Sequence, residues 1–330
     1  PQPSIGTEVP PAQQQPVVEQ QPVVDQTPVE EHYEEEEVLT QEEQQQEEIE
    51  QEQLQEEADD LFQFASIEEF QELRHHATEA SALTQLRELA TDITRQSPSN
   101  ISPAAASCLI CCNSYTKPSY QLGVGPINDA ITVAANHKVQ GFTVYFVHNP
   151  KAADFLKVLQ VFFKNVTHYL TVYYTGHGSQ VTDLDGDEDD KKDEVMVFDD
   201  GYITDDELLK CIKEYHTGKP QTILMSDCCH SGTIWDIPTD ITAASKLPAN
   251  ILSLSAADDT QTAKQTTLDR NCQGCFTYYF WTLVRNNPSI TPDEIEEILN
   301  KSLKKFTQQL VMIPTRADLL QSPMFPLLNR

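Results

Sequence analysis

"QTILMSDCCHSG", residues 221–232, is the stretch on which the reading of this chain turns. Three apolar residues, Ile223, Leu224 and Met225, run up to Ser226 and Asp227, and two cysteines, a histidine, a serine and a glycine follow at once. A short apolar run bounded by such residues is the pattern of a buried strand that ends in reactive chemistry. Cys228 and Cys229 could be metal ligands, a redox pair, core filler, or a pair of which one is a nucleophile. The stretch alone leaves all four open.

On either side of it, apolar strands and amphipathic helices alternate. Strands are expected over 107–114, 142–148, 168–175, 221–226 and 250–255, with another near 309–313. Helices are expected over 127–139, 151–164, 205–216, 275–286 and 292–306. The last of these opens with "TPDE", a capping residue, a first-turn proline and two acids. Such alternation predicts an α/β fold with a mainly parallel central sheet and helices on both faces. No internal repeat is present. Upstream, the spacing of Leu, Phe and Ile over 61–96 predicts one or two amphipathic helices, and "SPSNISP" (97–103) reads as a linker.

The charge is very uneven. The 330 residues carry a formal charge of -30, and residues 1–73 contain 22 acids with no Lys or Arg. The remainder holds 30 acids against 22 bases, a net of -8, ordinary for a globular domain. Segment 1–57 is built largely of Pro, Gln, Glu and Val, with too few apolar residues to repay the entropy of ordering. A disordered acidic tail over 1–60 is expected, then a helical pro-segment and linker over 61–106, then one domain over 107–330. The tail reads either as a solubilising, self-repelling arm or as a partner-binding one. Without a basic stripe, nucleic acid is excluded as a partner. No apolar run approaches the ~18 residues that a membrane span needs. The sequence opens on Pro1 with no charged-then-apolar leader, and its eight cysteines lie partly in apolar runs such as "SCLICCNSY". That usage predicts a reducing, cytoplasmic setting over a secreted disulfide framework.

Ligands in an open α/β sheet bind beyond the carboxyl ends of the strands. Two strands release there into unusual residues: "YYTGHGSQ" (173–180), at Gly176, His177 and Gly178, and the opening stretch, at Asp227 to His230. Were these strands neighbours, His177 could take the proton of a cysteine thiol and leave a thiolate able to attack a carbonyl carbon. Gly178 and Gly232 leave room for backbone amides to approach a substrate oxygen.

Taken in order, "GPINDA" (125–130), "YYTGHGSQ", "DLDGDEDDKKDEVMVFDDGYITDDEL" (183–208), "SDCCHSGT" (226–233), "SAADDTQTA" (255–263) and "QSPMFPL" (321–327) resemble a metacaspase of type I, a caspase-fold cysteine peptidase. The likeness covers residues 107 to about 326. It implies a caspase-like α/β sandwich, His177 as general base and Cys229 as nucleophile, with the backbone N–H groups of Gly178 and Cys229 as the oxyanion site. It implies endopeptidase cleavage of protein or peptide substrates after Arg or Lys, with Asp129, Asp227 and Thr175 in the pocket for the basic side chain. A carboxylate pair suits a guanidinium or ammonium and rejects an acid. It implies activation by Ca²⁺ at Asp193, Asp205, Asp206 and Asp236, clustered hard oxygens of the kind that ion prefers. It implies a monomer.

Several residues carry a second reading. Asp129, Asp205 and Asp206 also suit a helix N-terminus. Cys228 reads as a small residue packed at a strand end, and His230 as a loop-positioning residue. Pro126 departs from the Cys common in the family three residues before the pocket acid. Residues 183–190 are not an EF-hand, because the sixth position from Asp183 is Glu188 and not Gly. Cys272 and Cys275 have C-x-x-C spacing but lack a complementary set for zinc. Arg87, Arg95, Lys246 and Lys264 are the candidate self-cleavage points. Two alternatives stand beside the peptidase: a non-catalytic, calcium-responsive binding protein on the same fold, and a legumain-like peptidase cutting after Asn.

Overall fold

The strand expected over 221–226 lies in the middle of a seven-stranded sheet, and its neighbours set the whole architecture. The structure, a computed structural model, describes residues 78–182, 192–228, 233–248, 250–255, 265–268, 271–303, 309–326 and 328. The acidic tail over 1–60, Cys229, His230, Gly232 and Lys264 lie outside the described residues.

In chain order the elements are α1 (Glu79–Leu89), β1 (Thr91–Asp92), β2 (Ala106–Cys112), α2 (Gly125–Gln140), β3 (Thr143–His148), α3 (Ala152–Asn165) and β4 (Tyr169–Thr175). Then come β5 (Gly178–Thr182), β6 (Lys192–Phe198), β7 (Gly201–Thr204), α4 (Asp205–Tyr215), β8 (Gln221–Asp227), α5 (Ile241–Ala244) and β9 (Ile251–Ser255). The chain closes with β10 (Gln265–Leu268), β11 (Asn271–Gly274), α6 (Cys275–Asn286), α7 (Pro292–Leu303) and β12 (Val311–Pro314).

The main sheet has the order β1-β3-β2-β4-β8-β9-β12. Every pairing in it is parallel except the last, where β12 runs antiparallel to β9. Parallel strands are connected by crossovers that place helices on the faces, so both faces are buried and alternate residues serve opposite cores. Cys108, Ile110, Cys112, Tyr173, Ile223 and Met225 point into one core with α1, α2, α6 and α7. Leu109, Cys111, Val172, Tyr174 and Leu224 point into the other with α3 and α4. The expected α/β sandwich, mainly parallel and covered on both faces, is the architecture observed.

Local chemistry accounts for individual elements. α4 begins in a capping box, Thr204 accepting from the Glu207 N–H while the Glu207 carboxylate accepts from the Thr204 N–H. Losing such a cap costs about 0.5–2 kcal/mol. α2 takes Pro126 in its first turn, where a missing N–H costs nothing, and stops at Gly141 in the left-handed conformation (φ 96°).

Two features depart from expectation. The helix expected to run through residue 96 stops at Leu89, because Ala90 turns extended and Thr91–Asp92 join the sheet edge beside β3. The β-branched run Thr91, Ile93 and Thr94 favours that change. Ala82 and Leu86 of α1 are buried in the first core, so residues 79–92 are built into the domain. The second departure is the antiparallel sheet β5-β6-β7, none of whose strands is among those expected from the sequence.

Candidate active site at the carboxyl rim of the sheet

β4 and β8 are direct neighbours, paired in parallel from Tyr169↔Gln221 to Thr175↔Asp227. The register therefore brings the ends of the two reactive segments side by side. His177 follows two residues after Thr175; Cys229, two residues after Asp227, lies outside the described residues.

His177 is half-buried and held at its N–H, its carbonyl and its Nε2. Its N–H donates to the Tyr115 hydroxyl at 2.6 Å. Its carbonyl accepts from the Tyr174 hydroxyl at 2.7 Å and from the Val197 N–H at 3.1 Å. Its Nε2 lies 2.8 Å from the Tyr120 carbonyl. A carbonyl only accepts, so Nε2 carries the hydrogen and Nδ1 keeps its lone pair as the basic nitrogen. The imidazole sits against the Tyr115 ring (centroids 4.9 Å apart, 33° between planes) and edge-on to Tyr120 at 6.1 Å.

Gly176 makes this approach feasible. A Cβ there would fall 2.6 Å from the Tyr115 hydroxyl oxygen and 3.1 Å from both the Asn113 Cβ and the Tyr174 hydroxyl oxygen. Gly178 opens β5 opposite Met196. Cys228 is buried in the second core, as expected of a small residue at a strand end.

The acids named for the substrate pocket surround one phenol. Asp129 is fully buried in the second turn of α2, past the reach of the helix N-terminus. Asp227 is 7% exposed and accepts from the Thr277 hydroxyl at 2.8 Å and the Tyr173 hydroxyl at 3.5 Å. Burial pushes its carboxyl up to about 6, against the pull of those hydrogen bonds. Burial also pushes the Tyr173 phenol well above its ordinary value, and the charges of Asp227 and Asp129 push the same way. The Thr175 side chain is buried and bonds to the same Tyr173. The fold thus brings Asp129, Asp227 and Thr175 round Tyr173, and adds two residues that sequence reasoning missed, Tyr173 and Thr277.

The four acids named for calcium are distributed unequally. Asp205, at the start of α4, accepts from the Glu194 N–H and the Asp206 N–H, both at 2.9 Å. Burial pushes its carboxyl up to about 8, and the Glu194 and Asp236 charges add to that. Asp193 is buried on β6 beside Glu194; Asp206 sits half-buried in the first turn of α4. Asp236 occupies a turn with φ 47°, its N–H donating to the Thr233 carbonyl at 2.6 Å. Glu194 was missed as a member: it accepts from Gln180 at 3.0 Å and from Thr233 at 2.5 Å. Among the described residues no group of three or more His, Cys, Asp or Glu is already set to grip a metal. What exists is crowded negative charge from hard oxygen donors, which fits a hard cation in kind.

Of the candidate cleavage points, Arg87 lies in the last turn of α1, paired with Asp92 at 3.1 Å. Arg95 and Lys246 are exposed in turns. Cys272 lies on β11 and Cys275 opens α6. Among the described residues no helix is long and apolar enough to cross a membrane.

Comparison with known proteins agrees with this fold. The family model described as the caspase domain matches residues 105–325. A metacaspase-1B of Neurospora crassa is 45% identical over 74 residues, 21% of this chain and 17% of that protein. A metacaspase-1 of Kluyveromyces lactis is 29% identical over 166 residues, 46% of this chain and 37% of that protein. The chain therefore spans well under half the length of these curated relatives. A solved protein of Geobacter sulfurreducens superposes with a TM-score of 0.50 at 20% identity, covering 68% of this chain and 100% of that one, a likeness of fold alone.

Proposed function

We propose, because the chain belongs to the caspase-domain family, that it is a metacaspase-like cysteine endopeptidase, calcium-responsive and cutting after Arg or Lys. The observation that carries the reading is the orientation of His177. Its Nε2 is tied to the Tyr120 carbonyl, so the basic Nδ1 is kept for a proton at the rim where β8 leads into Cys229.

In this reading Nδ1 of His177 takes the Cys229 thiol proton and the thiolate attacks the scissile carbonyl carbon. The N–H groups of Gly178 and Cys229 receive the developing oxyanion. His177 returns the proton to the leaving amine, and water then hydrolyses the thioester. The basic side chain before the cut reaches Asp227 and Asp129. Their crowding round Tyr173 supports a cationic guest over the Asn of a legumain-like enzyme, since a buried carboxylate gains most from a charged partner.

Asp193, Asp205, Asp206 and Asp236 would hold a calcium ion, with Glu194 beside them. The ion would supply positive charge to a cluster that now keeps Asp205 protonated to high pH. Self-processing is assigned to Arg95 and Lys246 over Arg87, because both are exposed in turns whereas Arg87 is held in a helix and paired with Asp92. A cut after Arg95 leaves α1 and β1 packed on the domain.

The test is hydrolysis of Arg- and Lys-containing peptides with and without calcium, comparing wild type with Cys229→Ala. Wild type is expected to cut in calcium only, and the variant to lose about four orders of magnitude or more. A Cys229→Ala protein that retains wild-type turnover removes the assignment.

A further inference from the structure

We infer that Tyr115 is a positioning residue for His177: its phenol holds both the backbone and the ring of the base in the orientation that hydrolysis needs. The inference deepens the peptidase reading and rests on it for the role of His177.

Three independent contacts meet on this one side chain. The hydroxyl accepts the His177 N–H at 2.6 Å, and donates its own hydrogen to the Val197 carbonyl at 3.0 Å. The ring lies along the imidazole, with centroids 4.9 Å apart. Burial pushes the Tyr115 phenol well above its ordinary value, so it stays a neutral donor and acceptor through the physiological range.

The chain also bears a local cost to put Tyr115 there. Its backbone is left-handed (φ 64°), a conformation that bulky residues avoid. The Asn149 side chain, itself on a left-handed residue (φ 46°), accepts the Tyr115 N–H at 2.9 Å and secures that turn. On the opposite side Gly176 leaves the space that the hydroxyl fills, a Cβ falling only 2.6 Å away. Strain of this kind persists where the surroundings over-determine it, typically at functional sites. A tyrosine needed only for packing would require neither the left-handed turn nor the glycine opposite.

The phenol acts through His177 and not on the substrate. Without the hydroxyl, the His177 N–H loses its acceptor and the bridge from that N–H through the phenol to the Val197 carbonyl is lost, leaving the segment tied to β6 by the Val197 N–H alone on this side. The Nε2 bond to Tyr120, which selects the tautomer, then weakens with it. Misplacement of a base by a fraction of an ångström lowers the chemical step while leaving ground-state binding in place.

The experiment is Tyr115→Phe, which keeps the ring and removes one oxygen, compared with wild type in two measurements. The first, in the full-length protein without substrate, is nitrogen NMR of the His177 ring: wild type is expected to be the Nε2–H tautomer and the variant a mixture. The second is peptide hydrolysis, with kcat expected to fall about tenfold and KM to stay within twofold, the loss matching one hydrogen bond. A variant with the wild-type melting temperature, an unchanged His177 tautomer and kcat within twofold of wild type overturns the inference. A KM rise without loss of kcat overturns it equally. If wild-type protein hydrolyses nothing, the peptidase reading fails by itself, and the tautomer comparison still decides whether Tyr115 orders His177.

Discussion

Replacing Asp227 with Asn separates what this acid does for stability from what it does for binding. Burial raises the folded carboxyl from 3.8 to about 6. Below about pH 4 the group is protonated in both the folded and the unfolded chain, so burial costs nothing there. As pH climbs through 6, the folded protein must hold a buried charge that the unfolded chain gives to water, and stability is lost across that window. The full difference is worth on the order of 3 kcal/mol above pH 7. Asn keeps an oxygen for the Thr277 and Tyr173 hydroxyls without the charge. Asp227→Asn is therefore expected to melt higher than wild type at pH 7.5, by roughly 5–10 °C for a domain of this size. The gain should shrink towards zero at pH 4. The same change takes the anionic partner from a basic substrate side chain, so KM for an Arg peptide should rise about tenfold or more. Calorimetry from pH 4 to pH 8 checks the first part and peptide kinetics the second. An Asn variant that melts lower at pH 7.5, or whose gain is equal at pH 4 and pH 8, refutes the reasoning.

Two further outcomes are expected. Gly176→Ala places a methyl 2.6 Å from the Tyr115 hydroxyl and should displace His177, lowering kcat/KM about a hundredfold while circular dichroism keeps its helical signal. Asp205→Asn removes a carboxyl that burial, Glu194 and Asp236 push up to about 8. Wild type in calcium-free buffer should lose stability as pH rises towards 8, and the variant should show a flatter melting profile from pH 5 to pH 9. Calcium should raise the wild-type melting temperature and leave that of Asp205→Asn unchanged.

The central strands were legible because each is an apolar run bounded by turns, and the rim chemistry was legible because it follows those runs directly. β4 and β8 came out within a residue of their expected bounds. Other elements lack that signal. β1 is two residues long and earns its place only by pairing with β3, which no local pattern encodes. β6 begins Lys192, Asp193, Glu194, and in a run of acids a charged strand reads as loop. Glu194 was hidden the same way, one acid among many until the hydroxyl of Thr233 and the amide of Gln180 converged on it. Thr277 lies 104 residues from Tyr173, and the contact depends on α6 packing across the sheet face. Tyr115 is also remote from His177, 62 residues away in sequence. Tertiary packing brings such pairs together, a helix across the sheet in one case and a loop beyond β2 in the other, and neither is encoded locally.

The site is built by two sheets with different tasks. The main sheet places segments: parallel pairing of β4 with β8 brings Thr175 beside Asp227, and hence the two reactive stretches to one rim. It does not orient an imidazole, since His177 lies beyond the last residue of β4. Orientation comes from β6. Val197 donates its N–H to the His177 carbonyl and offers its own carbonyl to Tyr115 and Tyr174. Two residues on, Asp199 accepts from the Thr116 N–H and hydroxyl and from the Lys117 N–H, fixing the loop whose Tyr120 carbonyl holds Nε2. Towards the other end of β6 lies Glu194, whose N–H donates to Asp205 in the crowded acidic cluster. Glu194 and Val197 are three residues apart, about 10 Å along a strand. The acidic segment and the support of the histidine are thus carried by one strand, Glu194 at the first and Val197 at the second.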